Sequence, residues 1–339
     1  MNSKFYYVCL FLLAAINVKA QQIRTNISVH DPVMIRQDSI YYLFGTGKGI
    51  AMWSSKDMLN WKQEKQVFAK PPQWAIDSVN GYNGHTWAPD ISYYNEQYYL
   101  FYSVSTFGKN SSCIGLATNK TLHTEDSNYH WMDHGKIIQS VSGKTNWNAI
   151  DPNLITDDNG KPYLAFGSFW DGLKLVKLNA NRLSIAESTD NLPTIASRKN
   201  GSFVNADLPL IEGNLVGVWG NAIEAPFITK KLKYYYLFAS IDYCCKGVNS
   251  TYKMIVGRSK DIMGPYLDKK GISMAKGGGS IVLAGDKNWY GVGHNAVCTF
   301  DEIDYLVFHG YDAGDNGKAK LRIEKLTWDK NGWPSLPNN

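Results

Sequence analysis

Past residue 20 the chain holds no apolar run long enough to cross a bilayer, which takes about 20 residues. Cysteine is scarce: five in 339 residues, of which Cys113, Cys244, Cys245 and Cys298 follow residue 20. That is too few for a disulfide-built scaffold, and no Cys-x-x-Cys spacing points to zinc. Adjacent Cys244 and Cys245 are open to a vicinal bridge in an oxidising compartment or to pairing elsewhere. Charge of one sign is also missing. Lys and Arg number 35 against 30 Asp and Glu, without a basic block, so nothing points to nucleic acid or an anionic membrane. Long helical periodicity is absent as well.

The apolar run that does exist lies at the start. Met1 to Lys4 are basic, Phe5 to Val18 are apolar, and Val18-Lys19-Ala20 is a small-residue cleavage signature. Residues 1–20 therefore read as a secretory signal peptide cleaved after Ala20, and the product as secreted or periplasmic. Lys4 and Lys19 leave with the leader, which takes the formal charge from +5 to +3. What remains is rich in rings and turns: 11 Trp, 21 Tyr and 30 Gly in the full chain. That composition suits short strands joined by tight turns.

An internal repeat sets the expected architecture. A polar or acidic residue, usually beside proline, precedes an apolar strand, a turn and an aromatic strand. The five copies start at His30-Asp31-Pro32, Trp87-Ala88-Pro89-Asp90, Ile150-Asp151-Pro152, Ile223-Glu224-Ala225-Pro226 and Gly293-His294-Asn295. Their aromatic strands are Tyr41-Tyr42-Leu43-Phe44, Tyr98-Tyr99-Leu100-Phe101, Tyr163-Leu164-Ala165-Phe166, Tyr235-Tyr236-Leu237-Phe238 and Tyr305-Leu306-Val307-Phe308. Each copy has room for about four short strands, one propeller blade. The expectation is an all-β, five-bladed β-propeller forming a single domain over residues 21–339. If the first strand of each blade is innermost, Asp31, Asp151, Glu224 and His294 converge on the axis. One Asp-Pro alone reads as a turn; three acids in register read as a site.

Carboxylates crowded in a partly desolvated channel separate in pKa, so that one stays protonated while another stays ionised. Glycoside hydrolysis requires that pairing, an acid for the leaving oxygen and a base or nucleophile on the opposite face.

The chain resembles glycoside hydrolase family 43, and within it the endo-acting α-1,5-L-arabinanases. The match is carried by His30-Asp31-Pro32, Thr86-Trp87-Ala88-Pro89-Asp90, Ser105 to Ser112, Asn148-Ala149-Ile150-Asp151-Pro152, Phe166-Gly167-Ser168-Phe169-Trp170, Ile223-Glu224-Ala225-Pro226, Cys244-Cys245-Lys246-Gly247, Gly257-Arg258-Ser259 and Gly291-Val292-Gly293-His294-Asn295. The resemblance implies an inverting enzyme making endo cuts in α-1,5-linked L-arabinan. It implies Asp31 as general base, Glu224 as general acid, and Asp151 holding the acid in place with a high pKa. It also implies calcium in the channel near His294, otherwise held largely by water. The residues alone favour a hydrogen-bonding core histidine there, since calcium prefers oxygen ligands. Phe107 and Ser168 match positions lining the cleft in similar enzymes; Trp87 begins the second copy at the same rim, placed to stack on the sugar, and Asn148 precedes Asp151 closely enough to point nearby, although it equally suits a turn cap.

The implied partner is a polysaccharide, arabinan or the side chains of pectin, met by a monomer without nucleic acid or a membrane span. Two other readings stay open. An exo-acting α-L-arabinofuranosidase or β-xylosidase would use the same scaffold, although many such enzymes carry a β-sandwich that does not follow Pro337 here. A non-catalytic carbohydrate-binding propeller would keep the rings but has no use for three acids in register.

Overall fold

Each aromatic strand is apolar on successive residues, so both of its faces must be covered. In the computed structural model, which describes residues 23–198 and 220–337, neighbouring blades supply that cover. Tyr235, Leu237 and Ala239 pack with Tyr163, Ala165 and Leu175 on one side. Tyr236 and Phe238 alternate to the other side and meet Leu306 and Phe308. Leu164 and Phe166 face Tyr99 and Phe101 in the same manner. The strand period of two thus turns one aromatic segment into two blade interfaces.

The blades are antiparallel four-stranded sheets in chain order. Blade one is Val33–Gln37, Ile40–Gly45, Ala51–Ser55 and Lys62–Gln63. Blade two is His85–Tyr94, Gln97–Val104, Cys113–Asn119 and Met132–Gln139, with Gly47–Lys48 added on the edge of its first strand. Blade three is Asn153–Thr156, Pro162–Phe166, Leu173–Lys177 and Thr194–Ala196. Blade four is Ile223–Lys231, Tyr234–Ile241, Lys253–Ser259 and Ser280–Leu283. Blade five is Trp289–Phe300, Ile303–Asp312 and Lys318–Trp328, and its fourth strand is Ile23–Ser28 from the other end of the chain.

That exchange closes the ring. Ile23 pairs with Ile323 and Ser28 with Lys320, and the Thr25 hydroxyl donates to the Leu321 carbonyl at 3.1 Å. The expected five-bladed architecture is thus observed, and its closure, which no sequence signal marked, is a strand swap between chain ends. The expected leader, residues 1–20, lies outside the described residues. No helix among the described residues is long and apolar enough to cross a membrane.

Candidate active site

One residue at or just before the first strand adopts a left-handed backbone in every blade: Asp31 (φ 51°), Ala88 (φ 44°), Asp151 (φ 58°), Ala225 (φ 54°) and His294 (φ 53°). For side chains other than glycine this geometry is strained, at a cost of order 1 kcal/mol each, and persists only where the surroundings fix it. What fixes it is a belt of hydrogen bonds from blade to blade. The amides of Ala88, Asp151 and His294 donate to the hydroxyls of Thr46, Ser103 and Ser240 on the preceding blade, at 2.9, 2.9 and 2.8 Å. These hydroxyls lie two residues beyond the phenylalanine that ends each aromatic strand. In blade three the same place holds Ser168, which donates instead to Glu224 Oε2 at 2.9 Å. There Asp151 Oδ2 accepts the Ala225 amide at 3.1 Å. In blade five the place is Gly310, and His309 Nδ1 accepts the Asp31 amide at 3.1 Å.

This register corrects one expectation. The position equivalent to Asp31, Asp151 and His294 in blade four is Ala225, not Glu224. A bulge between Glu224 and Phe227 places Glu224 opposite Ser240, as Trp87 stands opposite Ser103. Glu224 therefore enters the channel one residue early, from a different point on the pleat.

Asp31, Trp87, Phe107, Asn148, Asp151, Ser168, Glu224 and His294 all line one cleft of about 570 Å³ at the mouth of the channel. Phe107 is exposed and Asn148 buried, its Oδ1 accepting from the Ser140 hydroxyl at 3.3 Å. Trp87 is oriented by donating its Nε1–H to His85 Nδ1 at 3.0 Å.

The three acids live in different surroundings. Burial would raise the Asp31 carboxyl, but His30 and His294, at 2.9 and 3.0 Å from Oδ1, hold it well below the ordinary carboxylate range. Thr46 also donates to its Oδ2. His309 lies 3.7 Å from the same carboxylate, yet that is no ion pair. Its Nδ1 accepts the Asp31 amide, and burial pulls its pKa well down, so the ring is neutral.

Asp151 is pushed up to about 8, first by burial and then by the charges of Glu224 and Asp31. Burial raises Glu224 too, against hydrogen bonds from the Tyr252 hydroxyl to Oε1 at 2.7 Å and from Ser168. Asp151 and Glu224 titrate as a pair, and the pair keeps a proton into the neutral range. His294 is raised to about 9: burial lowers it, but Asp31, Asp151 and Glu224 outweigh that.

Several functional groups carried no motif. Tyr252 reaches Glu224 only because residue 293 is glycine; a Cβ there would overlap the tyrosine ring. Tyr311, His309 and Thr46 fix the Asp31 end. The hydroxyl repeat Thr46, Ser103, Ser168 and Ser240 is readable in hindsight from its fixed offset; Tyr252 and Tyr311 have no such signal. Cys244 and Cys245, left open above, are bridged to each other and line the same cleft.

Comparison with known proteins agrees with this geometry. The sequence profile of glycosyl hydrolases family 43 matches residues 25–334. The chain is 47% identical over 310 residues to an extracellular exo-α-(1→5)-L-arabinofuranosidase of Cellvibrio japonicus, covering 91% of this chain and 86% of that one. It is 44% identical over 315 residues to an extracellular endo-α-(1→5)-L-arabinanase of Bacillus subtilis, covering 92% and 88%. The fold superposes on an α-L-arabinanase of Cellvibrio cellulosa in complex with arabinohexaose with a TM-score of 0.85, at 47% identity and covering 91% and 95%.

Proposed function

The chain belongs to glycosyl hydrolases family 43, and from that membership we propose that it is a secreted arabinanase that hydrolyses α-1,5-linked L-arabinan by endo cuts with inversion. The observation that carries the reading is the divided ionisation of three acids in one cleft. Asp31 is held as a carboxylate, while the buried Asp151–Glu224 pair retains a proton. In this reading Asp31 Oδ2 or Oδ1 takes the proton of a water that attacks the anomeric carbon. Glu224 delivers its proton to the leaving arabinose oxygen, which departs as a hydroxyl. Asp151 shares the pair's proton with Glu224, and it anchors Ala225 next to the acid by accepting that residue's amide on Oδ2. Ser168 and Tyr252 orient the Glu224 carboxyl. Trp87 and Phe107 offer ring faces to the sugar, and Asn148 offers a polar edge in the same wall.

Calcium belongs to the proposal as well. The Nδ1 of His294 is taken by Asp31, and among the described residues no partner falls on its Nε2. Asn295, next in the chain, has both polar side-chain atoms buried without a partner. Unpaired groups at that depth call for solvent or an ion. The site fits an ion held mainly by water: His294 would hold it through Nε2 once the proton that its raised pKa keeps there has left, and the ion's charge would lower neighbouring carboxylate pKa values.

A second reading has a specific observation behind it, because the relative at 47% identity is an exo enzyme. Product analysis on linear α-1,5-arabinan separates the two. A ladder of oligosaccharides with an early fall in viscosity supports endo cutting. Release of short end products alone, with viscosity falling slowly, would replace it with the exo reading. No cleavage of arabinan, xylan or aryl glycosides would leave only a binding propeller.

A further inference from the structure

The Cys244–Cys245 bridge sits on the cleft wall, with Cys244 half-buried and Cys245 exposed. It lies in a different blade from Asp31, yet hydrogen bonds connect the two. The Cys245 amide donates to the Tyr311 hydroxyl oxygen at 2.7 Å. Tyr311 lies 2.8 Å from His30 Nε2, and His30 Nδ1 lies 2.9 Å from Asp31 Oδ1. His309 Nε2 is 3.2 Å from the same tyrosine oxygen.

The proton positions follow from counting donors. His309 Nδ1 accepts the Asp31 amide, so its proton is on Nε2 and points at Tyr311. The tyrosine oxygen then accepts from His309 and the Cys245 amide, with the Ser250 hydroxyl beside it as a further donor. Its own O–H is left to donate to His30 Nε2, which puts the His30 proton on Nδ1, facing Asp31. The order depends on Cys245 staying in place. Its backbone is left-handed, at φ 64°, and the bridge to Cys244 ties it there.

We propose that the Cys244–Cys245 bridge is a positioning element of the active site, which holds the Cys245 amide on Tyr311 and thereby sets the His30 tautomer that steadies Asp31. The proposal rests on the reading of Asp31 as a catalytic group. Opening the bridge frees the Tyr243–Lys246 turn, releases one lone pair of Tyr311 and lets its hydroxyl turn away from His30. It also leaves a Cys245 thiol whose sulfur is 3.9 Å from His30 Nε2, a competing donor that the bridged form lacks. Misplacement on this scale lowers turnover more than binding.

The test is steady-state kinetics on linear arabinan with the full chain, oxidised and after dithiothreitol, which closes to its cyclic disulfide as it supplies two electrons and two protons to the bridge. The reduced enzyme should lose about ten-fold in kcat with KM changed less than about two-fold, and reoxidation should restore it. Cys244→Ala/Cys245→Ala should show a similar loss and no response to the dithiol. Tyr311→Phe should lose a similar factor and become insensitive to reductant, because both act on one chain of contacts. Unchanged kcat in the reduced enzyme would overturn the proposal. So would a rise in KM alone, which would make the bridge a substrate contact, or a Tyr311→Phe enzyme that still responds fully to reduction. Asp31→Asn is run in parallel. If it turns over normally, the reading of Asp31 fails; if it is inactive while the bridge variants are normal, only the positioning role fails. Circular dichroism on each variant separates these outcomes from unfolding.

Discussion

Asp31 and Glu224 are alike in chemistry and opposite in surroundings. Two imidazoles crowd the first, whereas a second buried carboxyl and two hydroxyls surround the other. If Asp31 acts as base and Glu224 as acid, Asp31→Asn and Glu224→Gln each lower kcat by about 10²–10⁴ while the far-ultraviolet circular dichroism is unchanged. Asp151→Asn removes the partner that shares a proton with Glu224 and lowers kcat on the same scale. The pH profile follows with a definite sign. An acid must be protonated to act, so activity falls as pH rises through the raised pKa of the Asp151–Glu224 pair. The Tyr252 hydroxyl favours the ionised form of Glu224, so Tyr252→Phe raises that pKa further. The basic limb of kcat/KM should move to higher pH; a limb that moves down would count against Glu224 as the acid.

At the scale of elements, the closing strand is the weak seam. The four main strands of each of blades one to four follow one another along the chain, but blade five borrows Ile23–Ser28 across almost the full sequence. Without that strand, Lys318–Trp328 loses its partner over residues 320–323 and leaves amides and carbonyls unpaired there, while Thr327 and Trp328 stay paired with Ser335 and Pro334. Deleting residues 21–28 should lower the thermal midpoint by roughly 5–10 °C, the scale of losing a few kcal/mol from a large domain, and should promote association. Light scattering through a thermal scan reads both effects. An unshifted midpoint would mean that the blade interfaces alone hold the ring. The bulges of the first strands matter at this scale too, since they turn Glu224 toward the channel while Ala225 takes the strained position.

For the molecule as a whole, the channel gathers charge from blades one, three, four and five, with His294 among three acids. If calcium occupies it, chelation followed by elemental analysis should remove about one ion per chain, and the thermal midpoint should fall and recover on adding calcium. Metal-free protein with an unchanged midpoint and full activity would dispense with the ion. Secretion is checked at the same scale: mature protein from the medium or periplasm should begin at Gln21.

The repeat of acid, proline and aromatic strand was enough to read five blades and to bring Asp31, Asp151, Glu224 and His294 together, because blade symmetry converts sequence register into radial position. The alternation of Tyr, Leu and Phe likewise encodes packing on both faces, since a strand has only two. Three things waited for the tertiary structure. The one-residue offset of Glu224 depends on a bulge, and a bulge is set by how two strands pair. The reach of Tyr252 and Tyr311 into the site depends on which loops the ring brings to the axis, and no local pattern marks a residue whose partner is far away in the chain. The vicinal bridge was open in sequence because two adjacent cysteines are equally able to pair elsewhere. Only the folded chain, which buries Cys113 and Cys298 as free thiols in the core, leaves Cys244 and Cys245 to each other.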